Sequence, residues 1–293
     1  MNQVTVISGK GGTGKSSIIA SLAYQLKEIS ILADADVDAP DLYLIFDPKE
    51  TEQFSYYGLK KAVIDKELCV ECNECRDSCR FEAIKESLTV NDFKCEGCSM
   101  CFHVCPENAI KMVDRVSGIY MSSNTRIGKM VHARLNPGEE SSGLLVAEVR
   151  KLSKKEAEKE KMKLILIDGS PGIGCPVISS LTGADLALVV TEPTLSGYHD
   201  LKRILELLKQ FNIGGYVIIN RFDINERISN DIEEYCKEDF PVIEKIPFNN
   251  IFTQAMIQKK TVLEMVSEDV DVIEIQRILR NISNFITSHD KIL

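Results

Sequence analysis

Gly9-Lys-Gly-Gly-Thr-Gly-Lys15-Ser16 follows a β-branched apolar run, Gln3 to Ser8, and precedes a helical pattern, Ser16 to Lys27. The octet fits G-x-x-x-x-G-K-[ST], and at average residue frequencies a chance match in such a chain has odds of roughly one in a hundred. Gly9, Gly11, Gly12 and Gly14 let backbone N–H groups turn inward around a phosphate. The helix that follows brings its positive end to the same point. Lys15 is spaced to reach the β- and γ-phosphates, and the Ser16 hydroxyl to ligate Mg²⁺. With Lys10, Thr13 and Ser17 these residues make up the expected ATP/ADP-binding loop.

Working outward, the chain alternates strand and helix. Ser30 to Ala33 is a short strand that ends in Asp34-Ala-Asp-Val-Asp38. Lys163 to Ile167, Leu186 to Thr191, Tyr216 to Asn220 and Val242 to Ile246 read as further strands, with Gly118 to Met121 and Met130 to Leu135 as additions. Helical patterns lie between them; Leu201, Ile204, Leu205 and Leu208 share one face. This rhythm predicts an α/β fold built on a mostly parallel sheet covered on both faces. Acidic residues at strand C-termini then face the ligand crevice, which selects Asp36 and Asp168. Lys151 to Lys163 reads as the solvated end of a helix.

The rhythm breaks between residues 60 and 115. Cys69, Cys72, Cys75 and Cys79 recur 26 residues later as Cys95, Cys98, Cys101 and Cys105, and Ala83-Ile84 recurs as Ala109-Ile110. The chain therefore divides into residues 1–59 with 116–293, and an inserted unit, 60–115. No secretion signal precedes these cysteines, so metal ligation in the cytoplasm is expected rather than a disulfide framework. Of the remaining two of the ten cysteines, Cys236 lies on a helical pattern and reads as a packed thiol.

Two resemblances rest on these residues. The loop with its extra lysine, Lys10, resembles the deviant phosphate loop of the MinD, ParA, Mrp and nitrogenase iron protein ATPases. Asp34-Ala-Asp36 resembles their switch I, and Leu164-Ile-Leu-Ile-Asp168-Gly-Ser-Pro-Gly172 their second carboxylate motif and switch II. The resemblance implies a P-loop ATPase that forms a nucleotide-sandwich homodimer. In it Lys10 reaches the partner's nucleotide, Asp36 orients the attacking water and Asp168 supports Mg²⁺ through water. Asn220 resembles the adenine-reading asparagine, and Ile246-Pro247-Phe-Asn249 the second base-flanking loop. Cys175 matches the spacing of a cluster-bridging cysteine in the nitrogenase iron protein. A small residue of switch II is the alternative reading.

The cysteine runs, C-x2-C-x2-C-x3-C, resemble a two-cluster bacterial ferredoxin, in which the fourth cysteine of each run ligates the other cluster. That implies an inserted α+β ferredoxin-like domain with two [4Fe–4S] clusters, one on Cys69, Cys72, Cys75 and Cys105, the other on Cys79, Cys95, Cys98 and Cys101. Arg80 stands where that family often has proline, whereas Pro106 is kept. Zinc prefers paired C-x2-C with longer separations.

Net charge is −9 over 293 residues, which excludes an overall basic footprint for nucleic acid. No apolar run approaches a membrane span. The C-terminal stripe Val272, Ile275, Leu279, Ile282 and Ile286 lacks a lysine-rich polar face, so packing on the sheet is expected over membrane binding. The function expected is a redox ATPase with a redox or iron–sulfur protein partner. A cluster carrier or assembly ATPase, and a positioning ATPase with redox-sensing clusters, are the alternatives.

Overall fold

The short apolar runs have β-branched, fully buried side chains, and they form the middle of one sheet. The computed structural model describes residues 1–139 and 143–289. In chain order these form β1 (Asn2–Ser8), α1 (Lys15–Gln25), β2 (Ser30–Asp34), α2 (Leu42–Phe46), β3 (Lys49–Tyr57), β4 (Lys61–Ile64), α3 (Glu74–Asp77) and α4 (Met100–Val104). Next come β5 (Ile110–Val113), β6 (Val116–Thr125), β7 (Gly128–Leu135), α5 (Gly143–Lys159), β8 (Leu164–Pro171), α6 (Cys175–Leu181) and β9 (Leu186–Thr191). The chain continues through α7 (Leu195–Gln210), β10 (Gly215–Asn220), α8 (Glu226–Cys236), β11 (Val242–Ile246), α9 (Ile251–Ile257) and α10 (Val270–Ser288).

Nine strands pair in the order β11-β10-β9-β1-β8-β2-β7-β6-β3. The pairs from β11 to β7 are parallel. Successive side chains of a strand point to opposite faces, and the core divides accordingly. Val4, Val6, Leu186, Leu188 and Ile218 face one cluster with Ile18, Leu22 and Leu279; Ile7, Ala187, Val189, Val217 and Ile219 face another with Leu201, Leu205 and Ile232. The stripe Val272, Ile275, Leu279, Ile282 and Ile286 of α10 is buried in the first cluster, against α1 and β11. Its apolar face is thus covered by this chain. No helix among the described residues is long and apolar enough to cross a membrane.

Several elements differ from the sequence reading: β6 runs from Val116 to Thr125 rather than Gly118 to Met121, and α1 ends at Gln25 rather than Lys27. β8 runs on to Pro171, because Ser8 of β1 pairs with Pro171 beyond the Val6–Asp168 pair. β3, Lys-Glu-Thr-Glu-Gln-Phe-Ser-Tyr-Tyr, has no apolar period and was not expected as a strand. It lies at the edge of the sheet, where charged residues are suited to an unpaired flank.

The chain divides into two compact units, Met1–Gln53 with Tyr120–Ala133 and Ser141–Leu293, and Phe54–Ile119 with Arg134–Glu140. In the second, β4 and β5 pair antiparallel, Lys61 opposite Val113 and Ile64 opposite Ile110. Its core is small: Ala62, Cys75, Ile84, Leu88 and Ile110, with further cysteines packed on it. The cysteine repeat is also a backbone repeat. Glu71, Asn73 and Glu82 have φ of 56°, 65° and 49°, and their counterparts 26 residues on, Gly97, Ser99 and Asn108, have 61°, 62° and 51°. Left-handed residues are uncommon outside glycine, so three matched pairs mark two copies of one turn.

Candidate functional site: a phosphate loop and two four-cysteine cavities

β1 ends at Ser8, and the glycine loop carries the chain to α1. Gly14 is left-handed at φ 87°, and a Cβ there would overlap Asn220 Nδ2. Glycine is therefore required at this turn by conformation and by close approach. Asn220 Nδ2 donates to the Thr13 carbonyl at 2.8 Å, so the end of β10 fastens the loop.

Lys15, the first residue of α1, is buried between carboxylates. Its Nζ lies 2.5 Å from Asp168 Oδ1 and 3.4 Å from Asp36 Oδ2. The β2–β8 register sets Asp34 beside Asp168, which gathers three acidic side chains at one strand end. Burial, then the charge of Asp168, push the Asp34 carboxyl well above the usual carboxylate range, against the pull of Lys15. Burial also raises Asp36, with Lys15 opposing it. For Lys15, burial works to lower the pKa, but Asp168 and Asp36 outweigh it and the net shift is upward. Asp34 Oδ2, Asp36 Oδ1, Asp168 Oδ2 and Thr13 Oγ1 are buried and have no hydrogen-bond partner among the described residues. A buried acceptor without a partner is costly. Acceptor oxygens beside a buried lysine suit a phosphate that pairs with the lysine and brings its own Mg²⁺ to the oxygens.

A cavity of about 320 Å³ opens over the loop. Its walls include Gly11, Gly12, Thr13, Gly14, Lys15, Ser16, Ser17, Asp36, Asn220 and Pro247, all selected from sequence. Phe248 and Asn249, from the same quoted loop as Pro247, also line it, as does Arg221, which was not singled out because it merely neighbours Asn220. The face made by Phe252, Thr253 and Met256 of α9 had no motif to announce it. Gly9 and Lys10 are not in the wall. Gly9 is packed on Asp200, where a Cβ would approach the Asp200 Cβ to 2.6 Å. Lys10 is turned onto its own chain: Nζ lies 2.6 Å from Glu192 Oε1 and donates to Ser196 Oγ at 3.0 Å and Thr194 Oγ1 at 3.2 Å.

The cysteines gather in two cavities. Cys69, Cys72, Cys75 and Cys105 line one, with Ile64, Leu88 and Pro106. Cys79, Cys95, Cys98 and Cys101 line another, with Ala62, Ile84 and Met112. Each cavity takes three thiols from one run and the fourth from the other. The Cys79 and Cys105 sulfurs accept from the N–H groups of Ala83 at 3.4 Å and Ala109 at 3.3 Å, a matched pair in the repeat. Burial raises the Cys75 thiol and pushes Cys101 up to about 11. Among the described residues no three His, Cys, Asp or Glu side chains converge as they would on one metal ion. Three thiols from one C-x2-C-x2-C turn and a fourth from the other run, among apolar side chains, match the ligand pattern of a cluster better than the paired C-x2-C of zinc. Cys175 is exposed at the start of α6, and Cys236 is buried in the core.

The model of the CobQ/CobB/MinD/ParA nucleotide binding domain matches residues 4–274. The chain belongs to this family. Among relatives, an uncharacterised protein of Methanocaldococcus jannaschii is 36% identical over 249 residues, covering 84% of each chain. A 58-residue stretch, 18% of this chain and 66% of the relative, is 40% identical to pyruvate synthase subunit PorD of the same organism. Among solved structures, the septum site-determining protein MinD of Pyrococcus horikoshii, complexed with Mg-ADP, superposes with a TM-score of 0.59. It is 17% identical, and the match covers 98% of this chain and 96% of that one. The MinD/ParA-type fold is thereby established, and with it a nucleotide-binding domain.

Proposed function

We propose that the chain is an ATP-hydrolysing iron–sulfur protein in which the nucleotide site governs electron transfer through two [4Fe–4S] clusters. The observation that carries this reading is the sorting of the eight thiols, three and one, into two cavities. The short likeness to a pyruvate synthase subunit agrees with it. Cys69, Cys72, Cys75 and Cys105 would hold one cluster, and Cys79, Cys95, Cys98 and Cys101 the other. When bound, such clusters take up and release single electrons.

On the nucleotide side, Lys15 and the loop N–H groups bind and orient the phosphates, and Ser16 and Asp168 support Mg²⁺. Asp36, partly buried and raised, is suited to hold a water beside the terminal phosphate. Asn220 and Pro247 flank the base. Lys10 would leave Glu192 to reach the nucleotide of a second copy in a homodimer. A redox or iron–sulfur protein is the external partner, and free thiols of this kind suit the reducing cytoplasm. The insert leaves the ATPase part between the Asp36 and Asp168 segments, the two that sense the terminal phosphate. That placement supports coupling.

Anaerobic redox titration by electron paramagnetic resonance tests this, with Mg²⁺ and no nucleotide, ADP or a non-hydrolysable ATP analogue. Two clusters whose potentials or spectra move with the analogue are expected. Two clusters indifferent to nucleotide would overturn the coupling and leave a carrier or sensor.

A further inference from the structure

We propose that Arg115, held by Glu139, is a positioning residue for the second four-cysteine cavity and sets the potential of its cluster apart from that of the first. The inference rests on the reading that these cavities hold clusters.

Arg115 lies between β5 and β6. Its Nη1 donates to the carbonyls of Asp92 at 2.9 Å and Cys95 at 3.2 Å. Cys95 is the first cysteine of the second run and lines the second cavity, so the guanidinium grips the backbone that presents it. Nη2 donates to Glu139 Oε2 at 3.0 Å, and each side chain of this pair is 15% exposed. Arg115 Nε is buried without a partner among the described residues. A planar fork of donors can span two carbonyls and a carboxylate at once, which a lysine cannot do.

The repeat supplies the control. The residue 26 positions before Arg115 is Thr89, whose hydroxyl lies 2.9 Å from Ser87 Oγ. The first cavity therefore has no arginine at the matching position. Lys94, beside Cys95 in sequence, is half exposed and its charge is screened by water and salt. Arg115 and Glu139 are shielded, and their charges act through a lower effective dielectric. Reduction adds one negative charge to a cluster. The arginine favours that form and raises the potential, and Glu139 opposes it.

The test uses the full chain reconstituted anaerobically with iron and sulfide, with metal content and a potential for each cluster read by electron paramagnetic resonance. Cys72→Ser, which alters a thiol of the first cavity, assigns the signals. Arg115→Gln and Glu139→Gln break the same ion pair. We expect opposite shifts of the second cluster, downward for Arg115→Gln and upward for Glu139→Gln, with the first cluster unmoved. Arg115→Lys retains the charge and should stay nearer the wild type than Arg115→Gln. Should Arg115→Gln fail to load its second cluster, Glu139→Gln and Arg115→Lys decide by the same signs. Shifts of the same sign in the two glutamine variants, equal shifts of both clusters, or no shift would overturn the assignment. A wild-type chain that takes up no iron overturns the cluster reading and this inference with it. Two clusters in the wild type that are blind to Arg115 overturn only the inference.

Discussion

Lys15 Nζ sits 2.5 Å from Asp168 Oδ1, with the two side chains 6% and 1% exposed, so the lysine of the glycine loop and the carboxylate of β8 form a buried ion pair. Phosphate and aspartate therefore compete for one ammonium. Removing a charged hydrogen-bond donor costs about 1.5–3 kcal/mol. Lys15→Ala should raise the Kd for Mg·ATP by roughly 10- to 150-fold, measured by calorimetry, and abolish measurable turnover. It also leaves buried carboxylates without their cation, so the nucleotide-free variant should melt below the wild type.

Asp34 gives a pH prediction with a definite sign. Its folded carboxyl binds protons more tightly than an unfolded aspartate does. Between the usual carboxylate pKa and the raised one, the folded state holds more protons, so stability falls as pH rises through that window. Above that usual range, folding must either take up a proton at Asp34 or bury its charge beside Asp168, and either one costs stability. Asp34→Asn should raise the melting temperature at pH 7 by a few degrees, about 1 kcal/mol. The gain should vanish as pH falls into the carboxylate range, as scanning calorimetry across pH would show. A gain that is independent of pH would mean that packing, not charge, is responsible.

Two glycines separate the two sites. Gly14→Ala forces a Cβ onto Asn220 Nδ2 at φ 87° and should lose nucleotide binding while retaining iron. Gly97→Ala, at φ 61°, places a Cβ on the Lys60 carbonyl oxygen, a rigid backbone atom. It should lower iron towards half while leaving nucleotide affinity intact. Each costs more than the about 1 kcal/mol of an ordinary strained substitution.

Lys10 is held by Glu192, Thr194 and Ser196, away from the wall of the nucleotide cavity. Lys10→Ala should leave the monomer's affinity for ADP within about twofold of the wild type, well under the 1.4 kcal/mol that separates a factor of ten. It should remove ATP-dependent dimerisation, seen by light scattering. Dimerisation that persists would assign Lys10 to the loop of its own chain.

Cys236 is buried in the core, and burial pushes its thiol up to about 12, so it stays protonated and unreactive. Cys175 is exposed. Iodoacetamide should label Cys175 and spare Cys236 in the cluster-loaded protein, as peptide mass spectrometry would show. Cys175→Ser should leave the iron content unchanged.

Much of the fold was legible because its signals are local. A β-branched run, a glycine loop and a helix lie in sequence at β1 and α1, and the parallel strands repeat the same pattern. β3 was not legible, because an edge strand needs no apolar period and Lys49–Tyr57 has none. The cavity wall from α9 was not legible either. Phe252 and Met256 are ordinary helix residues until β11 delivers them beside the loop.

The sequence by itself determined which residues have the chemistry: a lysine and glycines spaced for phosphate, carboxylates at strand ends, and eight thiols repeating every 26 residues. It does so because spacing along a chain fixes what a tight turn can present. Only the tertiary structure decided which groups meet. The β2–β8 register brought Asp34 beside Asp168, and Lys15 between Asp168 and Asp36. Glu192 drew Lys10 aside. The Arg115–Glu139 pair, 24 residues apart in sequence, closed on the backbone of Cys95. These contacts depend on burial and long-range pairing, which fix the strength of each charge and which no local pattern encodes.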